Sequence, residues 1–372
     1  MSEKKIKVAI VGLGFGKEFI PIYQRHPYCS SVAICTRNEI TLDKVRGEFN
    51  IPKEDCFTNF NDILGRRDID AIHIVTPIPL HAEQTIASLE AEKHTACTVP
   101  MATSIEEIKA IVKAQKKSGK QYMMMETAVY TREFLLVKDL YEKGELGSIS
   151  FLRGAHYQNM EGWPGYWKGL PPMWYATHAV SPLFALVDAR PVKVHCFGSG
   201  RVREELVEPY GNQYRFETAV FKLNKDDLAA EVSRFLFQTS RQYTESFNVY
   251  GEKMSFEWQQ IETEFPVLFK GEETIRIKDV PDRQDLLPKE VAMFTKRGVY
   301  DEENAHLSFV QGSGHGGSHP HLVHEFLSSI VEGRKTYIDV VTSAYWTAAG
   351  LCAHQSAMND GKEIVLPVFE NI

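Results

Sequence analysis

Along the first third of the chain, short unbroken apolar runs alternate with stretches whose apolar positions recur every three or four residues. KVAIVGLG (7–14) is such a run, closed by glycines, and helical spacing follows from Phe15 to Arg25. SVAICTR (31–37) predicts a second strand and LDKVRGEF (42–49) a second helix. DAIHIVTP (70–77) is a third run, closed by proline. Then come a helical stretch (79–93), the strand HTACTV (94–99), a second helical stretch (104–119) and KQYMMME (120–126). Unbroken apolar runs suit strands buried on both faces, and their alternation with helices implies a parallel sheet covered on both sides. The expected architecture is therefore a doubly wound Rossmann domain over residues 1–127.

After residue 128 the pattern changes. KVHCFG, YRFETAVFKL, LAAEVSRFLFQ, ESFNVYGE and MSFEWQQ alternate polar with apolar positions, which predicts an antiparallel sheet. TSAYWTAAGLCAHQSAMNDG reads as a late helix ended by Asn359 and Gly361. Residues 128–372 are expected to form an α+β domain, to which the resemblance set out below assigns substrate binding and oligomerisation. At 372 residues, with 43% hydrophobic and 24% charged content, the chain reads as a globular protein of about two domains. Its formal charge of −7 supplies no field for nucleic acid or anionic membrane. The apolar opening is too short to span a bilayer, is broken by glycines and leads into Lys17 and Glu18, so it reads as strand and turn rather than a targeting segment. Six scattered cysteines without a CxxC pair suit a reducing cytoplasm.

VGLGFGKEF makes the first domain specific. A glycine-rich turn between strand and helix points backbone N–H groups at a pyrophosphate. Gly12 allows the tight turn and Gly14 the close approach of phosphate; a third glycine is expected at position 17, where Lys17 stands, while Gly16 comes one place early. At the end of the second strand, Cys35-Thr36-Arg37 replaces the acid that would hold a ribose 2′-hydroxyl. Hydroxyl and guanidinium suit a 2′-phosphate, yet Arg37 also fits stacking on adenine. These residues alone lean slightly to NADP; together with the resemblance set out next, the expected cofactor is tightly bound NAD, with NADP as the alternative. Thr76-Pro77 closes the next strand at the edge where such sheets bind ligands, and His81 follows it, for cofactor contact or for structure.

These segments resemble the Gfo/Idh/MocA oxidoreductases. The resemblance rests on VGLGFG, VTPIPLHAEQ, KHTACTVP with SIEEIKAIVKAQ, LYEKGELGSISFLRG (140–154), YATHAVSP and GHGGSHPHLVHEFLSSIVEG. It implies a second domain with a large open, mostly antiparallel sheet whose face covers the nicotinamide, and a homo-oligomer of two to six copies. It also implies that Phe15 joins the cofactor loop and that Thr98, Val99 and Pro100 line the nicotinamide. The family usually carries Glu-Lys-Pro at those three positions; Val99 stands in place of its catalytic lysine. Trp174 and Ser181 stand where the family places acids around its histidine, so only His178 remains. Two expectations follow: proton transfer is reassigned, or the chain is a non-catalytic relative that binds sugar.

Reassignment makes His178 the expected base, because imidazole titrates near neutrality. Lys168 is the second candidate, if burial desolvates it. QNMEGWPGYWKGLPPMWYATHAV (158–180) holds Trp163, Trp167 and Lys168 on a predicted loop; aromatic rings pack on sugar C–H faces or flat aglycones. Glu126 and Tyr130, where the first domain hands over to the second, are further substrate contacts. GSGHGGSHPHLVHEF (312–326) brings His315, His319, His321 and His324; their spacing matches no standard zinc pattern, so no metal is expected, and His319 and His321 are expected at the substrate. Within the family the pattern most resembles bacterial glycoside 3-dehydrogenases of the C-glycoside deglycosylation type. The expected reaction is NAD(P)-dependent oxidation of a sugar or glycoside hydroxyl, at C3, whose ketone acidifies the C2 proton and lets a partner lyase eliminate the aglycone. An NAD-dependent redox-elimination glycosidase and a silent sugar-binding protein stand as alternatives.

Overall fold

The computed structural model describes residues 5–225, 227–296 and 314–372. Gly312 and Ser313, the start of the histidine-rich segment, lie outside the described residues. The chain packs as two compact units: Met1–Arg132 with Asp282–Ala344 and Ile372, and Glu133–Pro281 with Tyr345–Asn371. The described residues 282–296 and 314–344, late in the chain, therefore lie in the first unit, C-terminal to the expected boundary at 127.

The first unit holds strands β1 (Ile6–Val11), β2 (Cys29–Cys35), β3 (Cys56–Phe57), β4 (Ala71–Ile74), β5 (His94–Cys97) and β6 (Tyr122–Met124). They pair in parallel in the order β3-β2-β1-β4-β5-β6, the doubly wound arrangement. The short edge strand β3 has no apolar run to announce it. Register sets Val11 beside Cys35 and Ile74, and Ile74 beside Cys97. Gly12, Thr36, Thr76 and Thr98 consequently leave the sheet at one carboxyl edge. The expected helix from Phe15 begins instead as a 3₁₀ turn (Gly16–Phe19) and becomes α-helical at Ile20–Arg25. Helix Ile105–Ser118 is closed locally at both ends: Ser104 accepts from Glu107 N–H, Glu107 accepts from Thr103 N–H, and Gly119 is left-handed. The later segment joins this unit through Thr336, whose hydroxyl donates to Tyr122 O, and through helix His319–Glu332, which buries Leu322, Val323, Phe326 and Leu327.

The second unit holds β7 (Ile149–Tyr157), β8 (Pro191–Arg201), β9 (Tyr214–Leu223), β10 (Ala229–Phe235), β11 (Thr244–Gly251), β12 (Ser255–Glu257), β13 (Val267–Lys270), β14 (Glu273–Arg276) and β15 (Ile364–Val365). Among the described residues they form one sheet, ordered β14-β13-β12-β11-β7-β10-β9-β8-β15. Its pairings are antiparallel except that of β10 with β7. Helix Thr177–Val187 crosses one face, and Gly154 lets it come close: a Cβ there would sit 2.1 Å from Ala179 O. Period-two alternation buries Ala219 and Phe221 on the helix side and leaves Val220 and Phe197 about half exposed on the other.

Candidate active site: a glycine loop and a buried imidazole–carboxylate row

Steric space defines the loop after β1. Gly12 has φ +95°, and a Cβ on it would lie 2.4 Å from Val75 O, so no other residue fits there. A Cβ on Gly16 would meet Ile10 Cγ2 at 2.9 Å and Val75 Cβ at 3.3 Å. Gly16 thus fills the close-packing role of the third glycine, one position earlier than expected. A Cβ on Gly14 would meet nothing within 4 Å, which leaves open space at the middle of the loop. This pattern fits a dinucleotide pyrophosphate, with the outer glycines closing the turn and the central one leaving room.

Around the same edge, Thr36 is half-buried and Arg37 exposed. The Thr76 hydroxyl donates to Gln84 Oε1 at 2.6 Å, and Pro77 is half-buried. His81 is buried with Nδ1 2.7 Å from Pro100 O and Nε2 2.8 Å from Thr76 O. Burial lowers its pKa although both carbonyls favour the charged ring. The imidazole ties the Thr76 turn to the Thr98-Val99-Pro100 turn, in which Val99 is buried and the peptide to Pro100 is cis. Thr98 donates through its hydroxyl to Ile74 O.

His315 and His319 pack on this loop. Phe15 meets both rings edge-on at 5.7 and 5.5 Å, and Phe19 lies 4.7 Å from His319 and from His73. Buried Glu18 sits 3.9 Å from His319 Nδ1. Burial pushes its carboxyl up to about 8, with Lys17 opposing, and drives His319 well below the usual imidazole range. Glu126 is fully buried and accepts from Ala128 N–H, capping the short turn Thr127–Tyr130. Tyr130 stacks on His321, centroids 6.1 Å apart and planes 9° apart; burial lowers His321 to about 4. Among the described residues, no group of three or more His, Cys, Asp or Glu side chains is arranged to hold a metal ion.

In the second unit His178 is buried near the start of helix Thr177–Val187. Its Nε2 lies 3.3 Å from the Tyr175 hydroxyl and 3.8 Å from Glu245 Oε1. The same carboxylate oxygen lies 3.7 Å from His156 Nε2 and accepts from Tyr243 OH. Arg234 is fully buried: Nε donates to Tyr175 O and Nη1 to His156 O, both at 3.0 Å, and its guanidinium lies 5.4 Å from the Tyr175 ring centre. Desolvation lowers Arg234 to about 10, with Tyr175, Tyr243 and Glu245 acting to keep it charged. Glu245, His156 and Arg234 escaped the sequence reading, which took the segments of Arg234 and Glu245 as plain antiparallel strands and did not single out His156. The available signal was a charged or imidazole side chain at a position whose neighbours two residues away point inward and are apolar.

Beside this row, Met160, Glu161, Trp163, Lys168, Arg203 and Phe237 line an open cavity of about 230 Å³. Trp163 is exposed and Trp167 buried; rings run from Trp163 to Trp167 (6.2 Å), Tyr175 (4.8 Å) and His178 (5.3 Å). Trp167 Nε1 has no hydrogen-bond partner among the described residues. Arg203 pairs with Glu161 on the wall. Lys168 is exposed at the rim, so the enclosed surroundings that proton transfer through an amine requires are not formed around it.

The glycine turn, the strand order and the residues at the carboxyl edge fit a dinucleotide-binding domain. Residues 6–126 match a family model described as an oxidoreductase family with an NAD-binding Rossmann fold. That match covers residues 6–126 of the 372, the domain of the parallel sheet. Among curated proteins, it is 28% identical over 200 residues to "Glycosyl hydrolase family 109 protein 1" of Bacteroides fragilis, covering 49% of this chain and 43% of the relative's length. Among solved structures, it superposes on an aldose-aldose oxidoreductase of Caulobacter crescentus complexed with glycerol at TM-score 0.76 and 16% identity, over 98% of this chain and 100% of that one. Levoglucosan dehydrogenase in complex with NADH gives TM-score 0.77 at 19% identity with the same coverage. These similarities confirm the two-part α/β fold expected from the sequence. No described helix is long and apolar enough to cross a membrane.

Proposed function

We propose that the protein is an NAD-dependent dehydrogenase that oxidises a sugar or glycoside hydroxyl, at C3, to a keto glycoside. The observation that carries this reading is the buried His178 imidazole with Tyr175 and Glu245 at its Nε2, joined by a line of aromatic rings to an open cavity. When bound, NAD supplies the hydride acceptor. Gly12, Gly14 and Gly16 shape the turn that binds its pyrophosphate, and Thr36 and Arg37 meet the adenosine side. His178 takes the hydroxyl proton onto its ring. Trp163 packs on a C–H face of the sugar or on the aglycone, with Trp167 behind it, and Lys168 bonds a hydroxyl from the rim. Tyr130 also meets the sugar, while buried Glu126 and His321 fix the turn that carries it and His319 backs the cofactor loop.

In this reading a separate lyase eliminates the aglycone from the keto product. The chain works in a reducing cytoplasm, in keeping with six unpaired cysteines. It forms a homo-oligomer through the exposed apolar outer face of the second sheet. The names of the curated relatives favour one second reading, glycoside cleavage with transient use of NAD. The test is to incubate the purified protein with NAD or NADP and a glycoside panel and identify products by chromatography and mass. A keto glycoside with stoichiometric NADH is expected. Free aglycone without net NADH would replace the dehydrogenase by the second reading, and neither product would leave a silent binding protein.

A further inference from the structure

We infer that Glu245 is a positioning residue for His178: its carboxylate orients the imidazole and balances the charge acquired when His178 takes a proton, and His156 and Arg234 hold that carboxylate in place. This rests on the reading of His178 as proton acceptor. In the registers of the second sheet, Glu245 of β11 stands opposite His156 of β7, His156 opposite Arg234 of β10, and Arg234 opposite Glu217 of β9. The four residues make one row across four neighbouring strands. The inward positions next to that row are Gly154, Val232, Phe247 and Ala219, all buried. Ionisable groups are thus confined to a single level of an otherwise apolar face, beneath the helix that carries His178. Buried charges persist only when other charges and hydrogen bonds compensate them.

The row supplies that compensation in alternating order. Glu217 accepts from Met173 N–H at 2.9 Å and lies 2.6 Å from His354 Nδ1. Arg234 follows, then His156, then Glu245, whose Oε1 receives Tyr243 OH and lies within 3.8 Å of both imidazoles. Among the described residues, the groups around His178 include Tyr175 from the preceding turn, His156 from β7, Arg234 from β10, and Tyr243 and Glu245 on β11 and its approach. Of these, Arg234 opposes a second positive charge and Glu245 favours it. At 3.8 Å the carboxylate lies beyond a direct hydrogen bond and acts through its field or a bridging water. When the hydroxyl O–H bond breaks and an N–H bond forms on His178, Glu245 neither gains nor loses a proton.

The experiment is an NMR titration of ring-labelled histidines in the NAD-loaded protein, with the His178 signals assigned from their loss in His178→Ala. In Glu245→Gln the His178 midpoint is expected to fall by about 1–3 pH units, the span an opposite charge at this range produces. The acid limb of kcat is expected to shift the same way while the NAD Kd stays unchanged, and Glu245→Asp is expected to restore most of the midpoint. An unchanged midpoint in folded Glu245→Gln overturns the inference. Should Gln prevent folding, Asp is still expected to lower the midpoint, by less, and no change there overturns it equally. If the wild type oxidises no glycoside but the midpoint falls, the functional reading fails alone; activity without the fall removes only Glu245.

Discussion

Two imidazole–carboxylate pairs in this protein look alike by distance and differ in kind. Glu18 lies 3.9 Å from His319 in the first unit, and Glu245 lies 3.8 Å from His178 in the second. Around Glu18, burial dominates and pushes the carboxyl up to about 8, with Lys17 opposing it among the described residues. His319 is driven down by burial and then by His315 and His73. At neutral pH acid and imidazole are both uncharged, and the pair packs the cofactor loop as a nearly apolar plug. Around Glu245 the protein places a tyrosine donor, a second imidazole and a guanidinium one strand beyond. The comparison teaches that separation does not define an ion pair; the neighbouring charges and donors do.

The sharpest way to break this contrast is at the two histidines. His178→Ala is expected to lower kcat by about 10²–10⁴ with NAD affinity unchanged, read from NADH absorbance and cofactor titration. His319→Phe, which keeps the ring packing, is expected to lose far less; an equal loss would erase the distinction. Next in size is Gly12→Ala. Its Cβ would stand 2.4 Å from a backbone oxygen at φ +95°, so NAD Kd is expected to rise more than about tenfold, roughly 1.4 kcal/mol or more. Unchanged affinity would remove the steric account of the turn.

Glu18→Gln probes the neutral pair through stability. A carboxyl whose folded pKa is raised to about 8 stabilises the fold fully below its unfolded value near 4.5, and loses that contribution as pH climbs through 8. Wild type is therefore expected to lose about 4 kcal/mol relative to Glu18→Gln between these limits, seen as diverging denaturation midpoints from pH 5 to 9. Parallel curves would show that Glu18 is charged after all. The smallest effect is expected at Trp163→Ala: KM up by about tenfold, near 1.4 kcal/mol, with kcat little changed. A fall in kcat alone would move Trp163 from holding substrate to shaping the row.

The first sheet was legible because its signals are local. Each parallel strand is a contiguous apolar run, and each helix boundary, such as Ser104 and Gly119, is written within a few residues. The exceptions have physical reasons. The two-residue strand β3 is too short to show a pattern, and the first helix starts as a 3₁₀ turn because Gly16 packs against Ile10 and Val75. The described residues 282–296 and 314–344 join the first unit through long-range contacts that no local pattern reveals. At the site, His178 and the Trp163–Lys168 loop could be named beforehand from resemblance and composition. Lys168 could not be ranked, since its exposure depends on how that loop lies.

By itself the sequence determined the glycine turn and the alternation of strand and helix, because spacing along the backbone constrains both, while the imidazole at position 178 was named through family resemblance. Only the tertiary structure decided that Glu245, His156 and Arg234 stand side by side. His156 comes 78 residues before Arg234 in the chain, yet its strand lies between those of Arg234 and Glu245 in the sheet, and a one-residue slip in register would turn any of them to the opposite face. It likewise decided that Glu18 is a proton-bearing plug while Glu245 faces two imidazoles, because the charge of a buried carboxyl is set by what surrounds it.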